Sequence, residues 1–269
     1  MSDYTVPPVS RALKVLRHIA EGNSCANNNK SAKELDINRT TLLRLLHTLR
    51  EEGMIEPAAE TGGYVLGTGL ISLAAKALFS RDIVQVAQPV LKRLAADLGL
   101  SAHLGVLEGA TILYLLRETP NLHLVSNVRV GSSLPAHATT IGRILLAQLP
   151  EAELRARLAD WRLDPVTDKT KTTPEDLLAQ LREDRKLGLA WSVGNYEPGI
   201  GSVAAAVFEA SGAAVGAINV TGPESDFALR TGRRADIAAR IAEAADTISQ
   251  QLGHFPDNDR VMKEMREEG

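Results

Sequence analysis

Arg39, Thr40, Thr41 and Arg44 lie close together in a stretch reading NRTTLLRLLHTLREEGMIE, residues 38–56. A guanidinium is a planar fork of donors that fits a guanine edge or a phosphate, and a short hydroxyl donates to phosphate oxygens. Leu42, Leu45, Leu46 and Leu49 recur at helical spacing, which predicts one helix over Arg39–Glu52. Asn38 is placed to cap it and Gly53 to end it. At 1.5 Å per residue the helix is about 21 Å long. Its leucines would hold it down, while Thr40, Arg44, His47 and Glu51 cluster on the opposite side. An ordinary core helix carries the same leucine stripe, so the surroundings must decide.

A second group of residues could hold a small ligand. SSLPAHATTIGRILLAQL, residues 132–149, puts Pro135 and His137 just before a helix predicted over His137–Leu149. The first turn of a helix offers free N–H groups and the positive end of its dipole to a carboxylate. YEPGIGSVAAAVFE (196–209) and GAINVTGP (216–223) read as glycine-flanked strands carrying Ser202, Asn219 and Thr221. Asn219 and Thr221 are two apart and so share one strand face. Taken singly, each of these is equally a capped helix, a strand or a turn.

Other chemistries find no support. There is no GxGxxG, P-loop, HExxH or GxSxG pattern, and the six histidines lack metal-ligand spacing. The lone Cys25 sits in a polar run without a His or Asp partner motif, which predicts an incidental thiol and a reducing compartment. No catalytic residue, cofactor or metal is expected.

The elements that would position these groups fit a 269-residue chain of two domains, 44% apolar and 23% charged. No run is apolar enough for a membrane span, and the first residues lack signal-peptide architecture, so a cytoplasmic protein is expected. The net charge is −3, yet Val9–Arg50 carries eight basic and three acidic residues, a local excess of +5. That contrast suits a small nucleic-acid reader on an acidic body. Ser10 should cap a first helix through Ala20, since Pro7 and Pro8 bar an earlier start. A short second helix is expected over Asn29–Leu35, with Asp36 in the sharp turn that follows. Met54–Glu56 and Tyr64–Leu66 are strand candidates joined at Gly62–Gly63. This order is a winged helix-turn-helix.

Residues 68–99 read as two helices, striped by Leu70, Leu73, Ala74 and Ala77 and by Val86, Val90, Leu91 and Leu94, with Pro89 a kink or break. Beyond them come strand candidates LSAHLGVLE, ATILYLLRE, LHLVSNVRV, GLAWSVG, GSVAAAVFE and GAAVGAINVTG. Helices are predicted over Glu151–Trp161, Pro174–Leu187 and Arg234–Gln251. This grouping predicts an α+β fold with a mixed or antiparallel sheet. The expected domains are 1–67, a linker helix 68–80, a sensing domain 81–253 and a frayed tail 254–269.

SRALKVLRHIAEG (10–22), INRTTLLRLLHTLREEGMIE (37–56) and GGYVLGTGLISLA (62–74) resemble the DNA-binding domain of the isocitrate-lyase-regulator (IclR) family of bacterial transcription factors. The resemblance implies DNA contacts from Arg39, Thr40, Thr41 and Arg44, with Arg44 on base edges, the threonines on phosphates, and the wing turn Gly62, Gly63 and Tyr64 near the backbone. Two positions depart from the family pattern: Asn27-Asn28 replaces a Thr-Leu pair, which should weaken the second helix, and Asp36 replaces Gly. Residues 80–252 resemble the family's effector-binding domain, a GAF/profilin-like α/β fold. That implies a pocket of Thr140, Ile141, Ser192, Ile200, Ser202, Asn219 and Thr221. Ser192 stands where many members carry Asp, and Ser202 where many carry Cys.

The implied function is a ligand-responsive regulator that binds operator DNA sequence-specifically. It would take an organic or aromatic acid as effector and work as a homodimer or dimer of dimers. The rival expectations are an enzyme acting on a small acid, with a structural N-terminal domain, and a protein-docking module using the winged helix.

Overall fold

The computed structural model describes residues 4–59, 62–79, 82–120, 128–228 and 232–255. The chain forms two compact units, Met1–Ser80 and Arg81–Gly269.

The first unit runs α1 (Pro7–Ala20), α2 (Asn28–Leu35), α3 (Arg39–Glu51), β1 (Ile55–Pro57), β2 (Tyr64–Leu66) and α4 (Thr68–Phe79). Helix α1 begins four residues earlier than expected, capped at Val6 instead of Ser10. Pro7 and Pro8 occupy its first turn, where the missing N–H groups would have had no partner, so proline starts the helix rather than barring it. Helix α2 is likewise stronger than expected, because the Asn27 carboxamide accepts from the N–H groups of Asn29 and Lys30 at 3.2 and 3.1 Å. Asp36 ends α2 in the left-handed region at φ 54°, turning the chain into α3. Asn38 caps α3 through the Thr40 N–H at 2.9 Å, and Gly53 follows it at φ 68°.

Leu42, Leu46 and Leu49 of α3 are buried with Val15, Ile19, Ala32, Ile37 and Ile55, and Leu45 packs against them. Cys25 lies in this core as well, and burial pushes its thiol pKa up. Strands β1 and β2 pair antiparallel, Ile55 opposite Leu66. The base of this wing is tied to the α1–α2 loop, where Tyr64 N–H donates to the Ser24 carbonyl at 2.6 Å. Helix α4 is anchored by the Gly69 N–H on the Gly53 carbonyl at 3.0 Å. Its predicted apolar stripe is not buried within one chain: Leu73 is 54% exposed and neighbouring Ile71 67%.

The second unit opens with α5 (Asp82–Leu98), which contains Pro89. Its buried stripe is Ile83, Val84, Ala87, Leu91, Leu94, Ala95 and Leu98; Val86 and Val90 lie at its margin. The remaining elements are β3 (Ser101–Glu108), β4 (Thr111–Glu118), β5 (Ser133–Pro135), α6 (Thr140–Leu146), α7 (Glu151–Asp160), α8 (Pro174–Leu187), β6 (Ala190–Val193), β7 (Ile200–Phe208), β8 (Ala214–Pro223), α9 (Glu224–Phe227) and α10 (Gly232–Gln251). The sheet is antiparallel throughout, in the order β5-β4-β3-β8-β7-β6. Helices α5 and α10 cover one face, and α6 packs on the other with α8 behind it. Most of LHLVSNVRV lies outside the described residues, and Val128–Val130 is not strand. Strand β5 and helix α9 are too short for a periodic signal. The predicted helix 137–149 shrinks to α6, because residues 136–139 form a turn that Thr139 closes by accepting from the Gly142 N–H at 3.1 Å.

Candidate functional site

Arg39, Thr40 and Arg44 are exposed on α3, Thr41 is half-buried, and the leucines behind them hold the helix by its other side. Among the described residues no ion pair involves Arg39 or Arg44, so both guanidiniums are available to an outside anion. Gly62 is exposed at φ 68°, whereas Gly63 and Tyr64 are half-buried against the α1–α2 loop. A Cβ at Gly63 would stand 2.1 Å from the Ser24 carbonyl oxygen, which is why the chain has glycine there. Basic and hydroxyl groups therefore face outward along the first half of a rigid helix, with the wing fastened beside it.

In the second unit, the sheet register gathers the polar residues on the α6 side. Ser192, Ser202, Thr221 and Ser101 form one cross-strand row; Ala190, Ala204, Asn219, His103 and Arg117 form the next. A cavity opens beside these rows, under the first turn of α6. Thr139, Thr140, His103, Tyr114, Val128, Ala138, Ser192, Tyr196, Glu197, Ile200, Ser202, Asn219 and Thr221 line it.

The polar groups on its floor are interlocked. Asn219 Nδ2 donates to Ser202 Oγ at 3.1 Å and to Thr140 Oγ1 at 3.4 Å, and those two hydroxyls share a 2.8 Å hydrogen bond. Asn219 Oδ1 lies 2.9 Å from His103 Nδ1. Ser192 donates to Asn195 Oδ1 at 3.1 Å. Thus six of the seven residues expected at a ligand site line one cavity. Ile141 is the exception: it is fully buried in the core between sheet and helices, so only its backbone N–H, in the first turn of α6, remains to offer. His137 and Pro135 also point elsewhere. His137 Nε2 donates to the Asp164 carbonyl at 3.0 Å, and Pro135 pairs with Thr111 in the sheet.

Two family models together match most of the chain. Residues 8–58 match the IclR helix-turn-helix domain, and residues 75–250 match the bacterial transcriptional regulator IclR C-terminal domain. The chain belongs to the IclR family. It is therefore a transcriptional regulator with a helix-turn-helix domain and a C-terminal α/β domain. Among its relatives, the regulator XynR of Escherichia coli is 30% identical over 93% of this chain and 98% of its own length. The crystal structure of an IclR-type regulator from Alicyclobacillus acidocaldarius has a TM-score of 0.80 and 29% identity, over 93% of this chain and 100% of that one. An IclR homologue from Microbacterium hydrocarbonoxydans, crystallised with 4-hydroxybenzoate, shares the fold at a TM-score of 0.78 and 24% identity, over 91% and 98% of the two chains. Among the described residues no helix is long and apolar enough to cross a membrane, and none group as a metal site.

In this IclR-family chain, sequence reasoning missed His103 and Tyr114, which come from strands that look purely structural. His103 is a polar residue at a buried position opposite Asn219, and Tyr114 sits opposite Gly105 on the next strand. The Tyr114 ring meets His103 edge-on, with centroids 5.8 Å apart. Burial is the main force holding the His103 pKa down to about 4; the hydrogen bond that His103 makes to Asn219 opposes it and the charge of Arg117 adds to it. The imidazole is neutral at pH 7.

A folded pKa below the unfolded value of about 6.5 means that the unfolded chain takes up the proton first. Stability from this group is complete above pH 6.5 and is lost as pH falls towards 4, on the order of 2–3 kcal/mol. Urea denaturation at pH 7 and pH 4.5 should show a larger drop for the native protein than for His103→Gln. Equal drops would refute the assignment.

Gly142 fixes how closely α6 folds back on the turn that precedes it. A Cβ there would sit 2.0 Å from the Ala136 carbonyl oxygen. Gly142→Ala should push α6 off its turn and destabilise the second unit by about 1–3 kcal/mol, as overpacking does. A melting temperature within a degree of native would contradict this.

Proposed function

We propose that the chain reads operator DNA with α3 and the wing and senses a small organic acid in the cavity beneath α6. The observation that carries the sensing half is the convergence of Thr140, Ser192, Ile200, Ser202, Asn219 and Thr221, from four separate segments, on one cavity. On the DNA side, Arg44 would take base edges, Thr40 and Thr41 phosphates, and Arg39 either. Gly62, Gly63 and Tyr64 would lie along the backbone. The unpaired guanidiniums support this assignment. A carboxylate in the cavity would take the free N–H groups of Thr140 and Ile141 and one hydroxyl, since no lysine or arginine lines the cavity among the described residues.

The exposed apolar residues of α4 favour pairing of two chains, giving a homodimer or a dimer of dimers that presents two copies of α3 to a two-fold operator. Such a protein works in the cytoplasm, with the chromosome. The effector shifts DNA affinity only by its preference for one placement of the two readers over the other.

The test is binding to a DNA sequence selected from a random pool, at several salt concentrations, with and without a panel of small acids. Saturable, competitor-resistant binding that one acid weakens or strengthens supports both halves. Indifference to sequence at every salt concentration would overturn the DNA half, and turnover of an acid would favour an enzyme.

A further inference from the structure

The hydrogen bonds around Asn219 leave a definite set of unused polar atoms. Asn219 Nδ2 spends its protons on Ser202 Oγ and Thr140 Oγ1, so its Oδ1 is the acceptor facing His103. His103 Nδ1 must then be the donor. In a neutral imidazole the other nitrogen is left as a bare acceptor. That atom, Nε2, is buried and has no hydrogen-bond partner among the described residues, and His103 is only 1% exposed. The Thr221 hydroxyl is buried and unpartnered too, in a side chain on the same cavity wall. The Thr140 and Ser202 hydroxyls bond to each other, which uses one of their two protons and leaves the second for an outside acceptor. Buried polar atoms without partners are rare in native folds and cost stability unless a ligand or water satisfies them.

We infer that the effector carries a hydroxyl that donates to His103 Nε2, beside an oxygen acceptor that takes the remaining proton of the Thr140–Ser202 pair. The ligand class is a hydroxy acid rather than a plain or O-alkylated acid. His103 is the residue that tells them apart, and Thr221 closes on the same end of the ligand. This rests on the reading of the cavity as the effector site. A hydroxyl is the group that fits: an acceptor in its place would face the lone pair of Nε2, and an ether would leave that nitrogen unsatisfied.

The experiment is 15N NMR of the imidazole nitrogens in the full chain, free and with three matched pairs of probes. The pairs are 4-hydroxybenzoate and 4-methoxybenzoate, glycolate and methoxyacetate, and lactate and 2-methoxypropanoate. The free protein should show His103 protonated on Nδ1 and bare on Nε2. At least one hydroxy acid should shift the Nε2 resonance and bind at least about tenfold tighter than its methyl ether. In His103→Phe that preference should vanish.

A proton on Nε2 instead of Nδ1 would overturn the inference, because the hydrogen-bond chain would then run the other way. Ethers binding as well as hydroxy acids, or no probe moving the His103 signals, would overturn it as well. If a probe changes DNA binding while the His103 signals stay still, the effector sits elsewhere and the reading of the cavity falls with the inference. If the preference for hydroxy acids fails while a plain acid shifts the signals and changes DNA binding, only the inference falls. Should His103→Phe not fold, the tautomer and the matched pairs decide on the native chain.

Discussion

Arg44→Ala should lower affinity for the selected operator about 10- to 100-fold per half-site, the 1–3 kcal/mol expected of a lost bidentate base contact. The residue is exposed midway along α3, no ion pair among the described residues draws its guanidinium away, and the Leu42, Leu46 and Leu49 side chains hold the helix from behind. Nothing in the core depends on it, so the melting temperature should stay within a degree or two. The salt dependence separates two roles. If Arg44 reads a base, the slope of affinity against salt is nearly unchanged and preference at one operator position relaxes. If it holds a phosphate, the slope drops by about one and all sequences weaken together. Unchanged affinity at every salt concentration would remove Arg44 from the interface and favour a docking role for the winged helix.

Asp184→Ala should destabilise the second unit by about 3–5 kcal/mol, the largest effect on stability expected here. Asp184 and Arg143 are both 2% exposed and paired through two hydrogen bonds of 2.8 and 2.9 Å. Arg143 also donates to the Trp191 carbonyl at 2.8 Å, and Gln180 donates to Asp184 at 3.0 Å. The cluster thus joins α6, α8 and β6, and it fixes the strand next to Ser192. Removing the carboxylate leaves a guanidinium buried without its counter-charge, which costs more than the pair was worth. Arg143→Met with Asp184→Leu should recover most of the loss, since an apolar pair of similar volume strands no charge. Urea denaturation of the two variants measures both. A single variant as stable as native, or a double variant worse than the single, would contradict this account. Because Trp191 precedes Ser192, the single variant should also weaken whatever response to acids the native chain shows.

The reading helix was legible because its determinants are local. Leucine spacing, the Asn38 cap and Gly53 act within a few residues, and the helix they predict is the one that forms, one residue shorter. Where local signals pulled in different directions the reading erred. Pro7 and Pro8 looked like breakers and are starters, because proline's missing N–H matters only after the first turn. Asn27 looked like a lost helical residue and is the cap of α2.

The cavity was legible only in part. Asn219 and Thr221 share a face by the period of a strand, and Thr140 marks a helix start, both properties of the chain alone. His103 could not be found that way. It reaches the site because β3 pairs with the distant β8 as well as with its sequence neighbour β4, and only the β3–β8 register sets it opposite Asn219.

The sequence by itself determined the two-part organisation, the leucine-striped helix with its outward arginines and the strands that carry polar residues. These follow from periodicity, capping and charge, which need no distant partner. The tertiary structure alone decided that the sheet is antiparallel in the order it has, and that α6 folds back on the turn before it as closely as Gly142 permits. It also decided that Arg143 finds Asp184, and that Ile141 turns into the core while His103 turns into the cavity. Those outcomes depend on residues far apart in sequence competing for the same buried space, and close packing settles that competition only once every element is in place.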